Sequence, residues 1–141
     1  MTENSYFAAK TRLHDATMGN RSASLLCPNL SDRFGVSNAS AKLEYPVGLI
    51  TVDEVALAGG KIGEMNENFY LKSNSYYWTM TPSSYNSGNN QAHVFNIYNN
   101  GSIMNGTTVT NGRALRPVIN LNKDVTIMRG DGTATNPYII E

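Results

Sequence analysis

Side chains alternate with a period of two along "SYYWTMTP", the stretch that follows Tyr70 by a few residues. A period of two is typical of a β-strand, because successive side chains of a strand point to opposite faces of the sheet. Most of these residues are aromatic or β-branched, which also favours a strand. One face is aromatic enough for a core, and we predict that Trp78 anchors it.

The stretch "HVFNIY" alternates in the same way and is soon followed by Asn100-Gly101. That dipeptide favours a type I′ hairpin turn, in which both central residues have positive φ. We therefore predict that residues 94–98 pair with residues 102–105. Asn105-Gly106 and Asn111-Gly112 repeat the turn signal.

The C-terminal part contains the short runs "RPVINL", "VTIM" and "NPYIIE", which are separated by turn residues. Such a series predicts an antiparallel sheet, and we expect the last run, 138–140, to tie the end of the chain back into it. Val118, Ile119 and Leu121 are predicted to lie in the core. Arg116 is expected to bond to neighbouring backbone carbonyls.

Helical signals are confined to the first half of the chain. In "NSYFAAKTRL", Asn4 or Ser5 can cap a short helix that gathers its apolar residues on one side. Residues 18–41 are interrupted by glycine and proline, which predicts loops with one short strand at 24–27.

A second helix is predicted over 52–58. Thr51 and Glu54 have the spacing of a capping box, and Gly59-Gly60 supplies a left-handed C-cap. Short helices followed by a meandering sheet indicate an α+β fold.

The composition changes this picture by limiting the partners. The length of 141 residues suits one domain, 1–141, whose N-terminal third, 1–44, has the weakest pattern. Lys plus Arg balance Asp plus Glu at 11 each, which disfavours nucleic acid and anionic membranes as partners. Charged residues make up 16% of the chain, against about 25% on average, so the surface must be polar without being charged. Such surfaces suit binding in extracellular settings.

The single Cys27 cannot close an internal disulfide, and we predict that it is a small buried hydrophobe. No apolar run approaches the roughly 18 residues of a membrane span, so we expect no direct membrane insertion. The first ten residues lack the basic start and apolar middle of a signal peptide. Either the protein is cytosolic, or the chain is an ectodomain whose export segment is absent.

Asparagine crowds into residues 83–112. Part of it is explained by turns. Together with tyrosine, serine and glycine it also forms the mixture that antibody paratopes use, in which rigid rings give contact area and amides give adaptable hydrogen bonds. The stretch therefore predicts either a ligand-binding surface or a polar, turn-rich loop on an ordinary surface protein.

Three segments, "YPVGLITVDEVALAGG", "YYWTMTPSSY" and "GRALRPVINLNKDVTIMRGDGTATNPYII", together resemble a group of uncharacterised bacterial modules. That group is similar to the formylglycine-generating-enzyme-like branch of the C-type lectin-like fold. The resemblance covers residues 45–141. It implies short helices packed on a twisted antiparallel sheet, with long irregular loops that bind ligand.

The resemblance leaves the function to individual residues, because the fold includes enzymes, lectins and the variable proteins of diversity-generating retroelements. The formylglycine-generating enzyme works through a pair of cysteines, whereas this chain has only Cys27, outside the matching region. The Glu-Pro-Asn, Gln-Pro-Asp and Trp-Asn-Asp motifs of calcium-dependent lectins are absent. In the retroelement proteins, mutagenesis directed at adenines rewrites asparagine codons in a C-terminal stretch. The asparagines followed by "RPVINL" resemble that layout.

Two further chemistries can be built from the residue types alone. Cys27 with His14 or His93 could form a thiol hydrolase, although no ordered motif accompanies them. Asp124 and Asp131 could supply oxygen ligands to a hard cation such as calcium, although turn formation also explains both.

We therefore predict a non-enzymatic ligand-binding module, a receptor or adhesion domain without a cofactor. It is expected outside the cell, on a bacterial surface, a pilus or a phage particle, with an unknown protein or glycan on another cell surface as its partner. The rival prediction is a structural, pilin-like surface subunit. The predicted ligand-binding residues are Tyr77, Tyr85, Asn86, Asn89, Asn90, Asn96, Tyr98, Asn99, Asn105 and Asn111.

Overall fold

The computed structural model describes residues 13, 22–26, 36–37, 39, 42–133 and 135–141 of the chain. These residues form mainly β-structure, with one helix whose bounds fall among them. In chain order the elements are β1 (Gly48–Leu49), α1 (Val52–Leu57), β2 (Tyr77–Asn86), β3 (Gln91–Ile97), β4 (Ile103–Thr108), β5 (Pro117–Val118), β6 (Ile127–Arg129) and β7 (Ile139–Ile140). Within this part of the chain, no helix has the length and apolarity needed to cross a membrane.

The strands form three small antiparallel sheets. The largest has the order β2-β3-β4, and the others are the pairs β1-β5 and β6-β7. The β2–β3 and β3–β4 turns lie at opposite ends of β3. Because β3 has seven residues, each rising about 3.4 Å, these ends are separated by about 20 Å.

The predicted α+β class is wrong, and with it the C-type lectin-like arrangement of short helices packed on a twisted sheet. The capping signals mark α1 correctly, but α1 has six residues, which is less than two helical turns. A helix of that length cannot form a layer. The other predicted helix lies outside the described residues, apart from Leu13, which is helical and buried.

The ends of α1 are fixed by the residues that the sequence indicated. The Thr51 hydroxyl accepts a hydrogen bond from the Glu54 backbone N–H at 3.2 Å, and the Glu54 carboxylate accepts from the Thr51 N–H at 2.8 Å. At the other end, Gly59 has φ 103° and Gly60 N–H donates to the Val55 carbonyl at 2.9 Å. This Schellman pattern confirms the glycine C-cap.

The alternation along β2 is real, but its buried face is the opposite of the predicted one. Tyr77 and Thr79 are buried, whereas Trp78 and Met80 are only half-buried. A period of two cannot say which face meets the core when both faces carry large side chains. The prediction that Trp78 anchors the core is therefore wrong, and Tyr77 has that place.

The core lies between α1, the segment before β2 and one face of the β2-β3-β4 sheet. Ile119 and Leu121 are 60% and 53% exposed and Val118 is half-buried, so the prediction of three core residues after Arg116 is wrong. β5 has two paired residues and pairs only with β1, so it lies outside the main sheet. The buried apolar residues are Leu13, Val52, Val55, Phe69, Tyr77, Phe95, Ile97 and Ile103.

The predicted role of Arg116 is confirmed. Its guanidinium donates a hydrogen bond to the Leu71 carbonyl and lies 4.9 Å from the centroid of the Tyr77 ring. The Tyr77 hydroxyl donates to the same carbonyl at 2.9 Å. Burial raises the pKa of the Tyr77 phenol, while the neighbouring guanidinium partly opposes that rise.

The hairpin predicted at Asn100-Gly101 is present, since Ile97 pairs with Ile103. The turn type differs from the prediction: Gly101 has φ 80°, but Asn100 has a negative φ. Gly101 N–H donates to the Tyr98 carbonyl at 2.9 Å, which makes a three-residue loop with a glycine bulge. Asn105-Gly106 forms no turn and lies inside β4.

The C-terminal ribbon, defined as β6, β7 and their connection, is separate from the main sheet. Ile127 pairs with Ile140, and Glu141 and Thr126 exchange two backbone hydrogen bonds. The last strand is therefore present, but it ties the chain end to β6 alone. Of the strand predicted at 24–27, residues 24–26 belong to no strand, and Cys27 lies outside the described residues.

Candidate functional site

The structure divides the ten predicted ligand-binding residues among different places. Tyr77 and Asn96 are fully buried and cannot contact an external ligand. Asn96 lies opposite Trp78 in the sheet and accepts a hydrogen bond from the Thr107 hydroxyl at 2.7 Å. Six of the others lie at the two ends of the sheet, which are about 20 Å apart. The remaining two, Asn105 and Asn111, lie in β4 and shortly after it.

Four of the predicted residues lie at the β2–β3 turn, and the three asparagines among them close it. Asn86 accepts from the Gly88 N–H at 2.9 Å, and Asn90 has a positive φ of 56° and accepts from the Tyr85 hydroxyl. The Asn89 side-chain amide donates to the side-chain carbonyl of Gln91, the first residue of β3, at 2.8 Å. Turn geometry thus explains much of the asparagine in this hairpin.

The two asparagines that follow β3 have different roles. Asn100 accepts hydrogen bonds from the backbone and hydroxyl of Ser102, at 3.0 and 2.7 Å, and so stabilises the turn. Asn99 is exposed, and its side chain makes no hydrogen bond with the described residues. Tyr98 precedes it and is half-buried. The Asn99 amide is therefore available to a ligand.

The last two predicted residues lie away from both of these groups. Asn105 is half-buried in β4, where its carbonyl accepts a hydrogen bond from the Ser83 hydroxyl of β2. Bulges in β2 and β4 coil the sheet enough for these two strands to meet across the central strand. Asn111 is exposed, and its amide donates to the Thr108 carbonyl at 3.2 Å.

A shallow cleft of about 410 Å³ opens beside the β3–β4 turn. We call it the Tyr76 cleft. Residues 112–114 are held against the start of β2, because Ala114 N–H donates to the Tyr76 carbonyl at 2.8 Å and Trp78 N–H donates to the Ala114 carbonyl at 3.0 Å. The residues that line the cleft are Asn74, Ser75, Tyr76, Asn99, Gly112, Arg113 and Ala114.

A stack of one cation and two rings organises this cleft. The Arg113 guanidinium lies 5.1 Å from the centroid of the Tyr76 ring, within the range of a cation–π interaction. The Tyr98 ring lies 4.7 Å from the Tyr76 ring, centroid to centroid, at 52°. Arg113 donates to the Gly112 carbonyl at 2.9 Å, while its Nε is buried without a partner among the described residues.

Sequence reasoning placed Tyr98 and Asn99 on the ligand-facing surface but missed Asn74, Tyr76 and Arg113. The sequence did contain a signal that points to Arg113. Between residues 73 and 122 the chain has two arginines and no Lys, Asp or Glu. A cation in such a stretch has no neighbour of opposite charge in sequence. What the sequence could not show is that Arg113 returns to the start of β2.

The structure also brings a serine and a histidine together. The Ser84 hydroxyl lies 3.0 Å from Nδ1 of His93, its direct partner across β2 and β3. A catalytic pair needs a third group that orients the histidine, and no carboxylate bonds to His93 among the described residues. Cross-strand hydrogen bonding accounts for this contact. Cys27 and His14 lie outside the described residues.

The two aspartates considered for a hard cation are engaged locally. The Asp131 carboxylate accepts from the Thr133 N–H at 3.0 Å, and hydrogen bonds from Thr133 hold the pKa of that carboxyl below its usual value. Asp124 pairs with Lys123 at 2.7 Å. No group of three His, Cys, Asp or Glu residues in the described part of the chain could hold a metal ion.

Comparisons of the chain with protein-family models, with curated proteins and with solved structures gave no match. The resemblance of residues 45–141 to bacterial modules stays a prediction, and we infer the function from the site itself.

Proposed function

We propose that this protein is a non-enzymatic ligand-binding module that works outside the cell, on a bacterial surface, a pilus or a phage particle. Its binding site is the Tyr76 cleft with the adjoining β3–β4 turn. The observation that carries the proposal is the stack of Arg113, Tyr76 and Tyr98 beside the unbonded amide of Asn99.

The Tyr76 cleft combines rigid aromatic rings with polar amides. Tyr76 directly precedes β2 and Tyr98 directly follows β3, so the positions of both rings are set by the hydrogen-bonded pair Tyr77 and Ile97. Tyrosine presents a large surface while losing little side-chain entropy, and amides adapt to varied hydrogen-bonding partners. The cleft is shallow and open, which suits a protein or glycan surface better than a deeply buried small molecule.

Binding to immobilised glycans and to a displayed peptide library would test this function. We expect Tyr76→Ala and Tyr98→Ala to abolish the binding that the unmodified protein shows. Tyr85→Ala is the matched control, because Tyr85 is an exposed tyrosine at the opposite end of the sheet. Two results would contradict the proposal. One is binding that is lost in Tyr85→Ala but kept in the two cleft variants, and the other is no binding to either library.

We also propose that copies of this module differ in sequence at the cleft. Mutagenesis directed at adenines would change the asparagine codons throughout residues 83–112, but selection would remove changes that unfold the chain. Asn96 is buried and Asn100 stabilises its turn, whereas Asn99 is exposed and unbonded. Population sequencing should therefore show variation at Asn99 and fixed codons at the other two. Uniform codons throughout would favour a single defined ligand.

A specific observation favours a second function, that of a self-assembling structural subunit. The C-terminal ribbon exposes five large apolar side chains, and isolated two-stranded sheets are marginally stable in water. In the described residues, β6 and β7 are each paired on one side only, which leaves open edges. The exposed residues are Ile127, Met128, Tyr138, Ile139 and Ile140.

We propose that the ribbon binds a second copy of the chain. The balanced charge of 11 cations and 11 anions creates no net repulsion between copies. A fully exposed aliphatic side chain offers on the order of 100 Å² of apolar surface, so five that are about half exposed offer about 250 Å². A standard interface buries about 800 Å² per partner, of which about 450 Å² is apolar. Association through the ribbon alone should be weak.

Sedimentation velocity over a range of concentrations would test self-assembly. Dimers or larger species should appear at high concentration and should be lost in Ile127→Thr/Ile140→Thr. Val109→Thr is the control, since Val109 is similarly exposed but lies outside the ribbon. A monomer at every concentration would contradict the structural role, and so would association that the double variant leaves intact.

A further inference from the structure

The charges of this neutral chain are unevenly distributed. All acidic residues lie before residue 73 or after residue 122, whereas the intervening stretch, which builds the main sheet, carries Arg113 and Arg116 as its only formal charges. This region is therefore locally positive. The net charge of zero attracts ligands of neither sign. A local excess of positive charge therefore favours a ligand that carries an anionic group.

The two arginines differ in what they already bind. Arg116 is tied to the Leu71 carbonyl and covers the Tyr77 ring, so it belongs to the structure of the core edge. Arg113 lines the Tyr76 cleft and donates one hydrogen bond, to the Gly112 carbonyl. A guanidinium carries five N–H donors.

Two further observations concern what Arg113 lacks. Its Nε is buried without a hydrogen-bond partner, and no carboxylate pairs with the guanidinium in the described residues. Because that Nε is buried, a ligand would pair with the terminal N–H groups, of which the structure shows one bonded to the Gly112 carbonyl. The contact with the Tyr76 ring restrains the guanidinium, which reduces the entropy lost on binding.

From these contacts, and building on the proposed function, we infer that the Tyr76 cleft binds a sugar that carries a carboxylate, such as a uronic acid. The guanidinium is shaped for two parallel hydrogen bonds to a carboxylate. The rest of the lining supplies the amides of Asn74 and Asn99 and the hydroxyl of Ser75, which suit a ligand rich in hydroxyl groups. The cleft is too shallow to enclose the buried anchor side chain of a peptide.

The test is a titration of the ¹⁵N-labelled protein with sodium glucuronate, glucose, acetate and inorganic phosphate, each at low ionic strength. Glucuronate should shift the amide signals of Gly112, Arg113 and Ala114 in a saturable way. Its affinity should exceed those of glucose and acetate at least tenfold, because only glucuronate joins hydroxyls to a carboxylate. Phosphate that binds more tightly than glucuronate would overturn the assignment.

Variants separate the site from general charge effects. Arg113→Gln should weaken glucuronate binding at least tenfold, and Arg113→Lys should weaken it severalfold, because an ammonium cannot form the paired bonds. Arg129→Gln removes an exposed arginine elsewhere and should leave the affinity unchanged. Dispersed amide signals would show that each variant is folded. Equal affinities for the four compounds, or binding insensitive to Arg113, would overturn the inference.

The inference and the proposed function can fail separately. If glucuronate does not bind but library binding still depends on Tyr76, the acid inference is wrong and the ligand-binding function stands. If glucuronate does not bind and library binding ignores Tyr76, both are wrong.

Discussion

The shared carbonyl of Leu71 makes a quantitative prediction possible. It accepts hydrogen bonds from the Tyr77 hydroxyl, at 2.9 Å, and from the Arg116 guanidinium, which also covers the Tyr77 ring. Tyr77→Phe removes the first bond but leaves the carbonyl with a partner and the ring in place. We expect it to lower the free energy of unfolding by about 1 kcal/mol.

Arg116→Met should cost about 2 kcal/mol, because it removes a charged hydrogen bond and a partly exposed cation–π contact. The double variant leaves the Leu71 carbonyl without either donor. We therefore expect it to cost about 4 kcal/mol, which is about 1 kcal/mol more than the sum of the single changes.

Urea unfolding followed by the fluorescence of Trp78, the single tryptophan, measures all four proteins. Additive costs, within about 0.3 kcal/mol, would refute the reasoning, since they would mean that water or another group replaces the lost donors.

The titration of Tyr77 supplies a second, independent measurement. Because its pKa is raised in the folded state, the protonated phenol contributes stability that is present below the ordinary pKa of 10.0. That stability is lost as the pH rises through the raised folded pKa. The unmodified protein should therefore lose stability above pH 10 more steeply than Tyr77→Phe does, and parallel curves would contradict this cause.

Three further predictions concern the turns and caps. Thr51→Ala should cost about 1 kcal/mol in urea unfolding, whereas Thr51→Ser keeps the capping hydroxyl and should cost little; equal losses would contradict the capping box. Gly101→Ala should destabilise by more than 1 kcal/mol on the same assay, because φ is 80° and a Cβ would collide with a backbone carbonyl. Gly112→Ala, which meets nothing within 4 Å, is its near-neutral control. The pKa of Asp131 is lowered in the folded state, so its contribution to stability is present above pH 3.8 and is lost as the pH falls through the folded value. The protection factor of the Thr133 amide, which corrects its exchange rate for the intrinsic dependence on pH, should then fall, and an unchanged factor would refute this.

Local signals in the sequence predicted local structure well. The capping box and the paired glycines located α1, and the alternation and Asn-Gly dipeptide located β2, β3 and the turn between β3 and β4. Each of these features depends on residues within one or two turns of chain, so short-range steric and hydrogen-bonding rules are sufficient. The same rules failed for Asn105-Gly106, which lies in the bulge of β4, because the pairs that Met104 and Thr107 make with β3 on either side keep the strand continuous.

The candidate site was predicted only in part. Tyr98 and Asn99 were identified from composition, but the same reasoning included Tyr77 and Asn96, which are buried. Composition describes which side chains are available over a stretch and carries no information about the face on which each one lies. A shift of one position along a strand moves a side chain from the surface to the core.

The sequence by itself determined β2, β3 and the turn between β3 and β4, the caps of α1, the neutral overall charge and the absence of acid from the region of the main sheet. Only the tertiary structure decided which face of β2 is buried, that the C-terminal ribbon stands apart from the main sheet, and that Arg113 meets Tyr76. Those outcomes depend on contacts between residues far apart in the chain. Such contacts are chosen by the packing of the whole molecule, and no short segment encodes them.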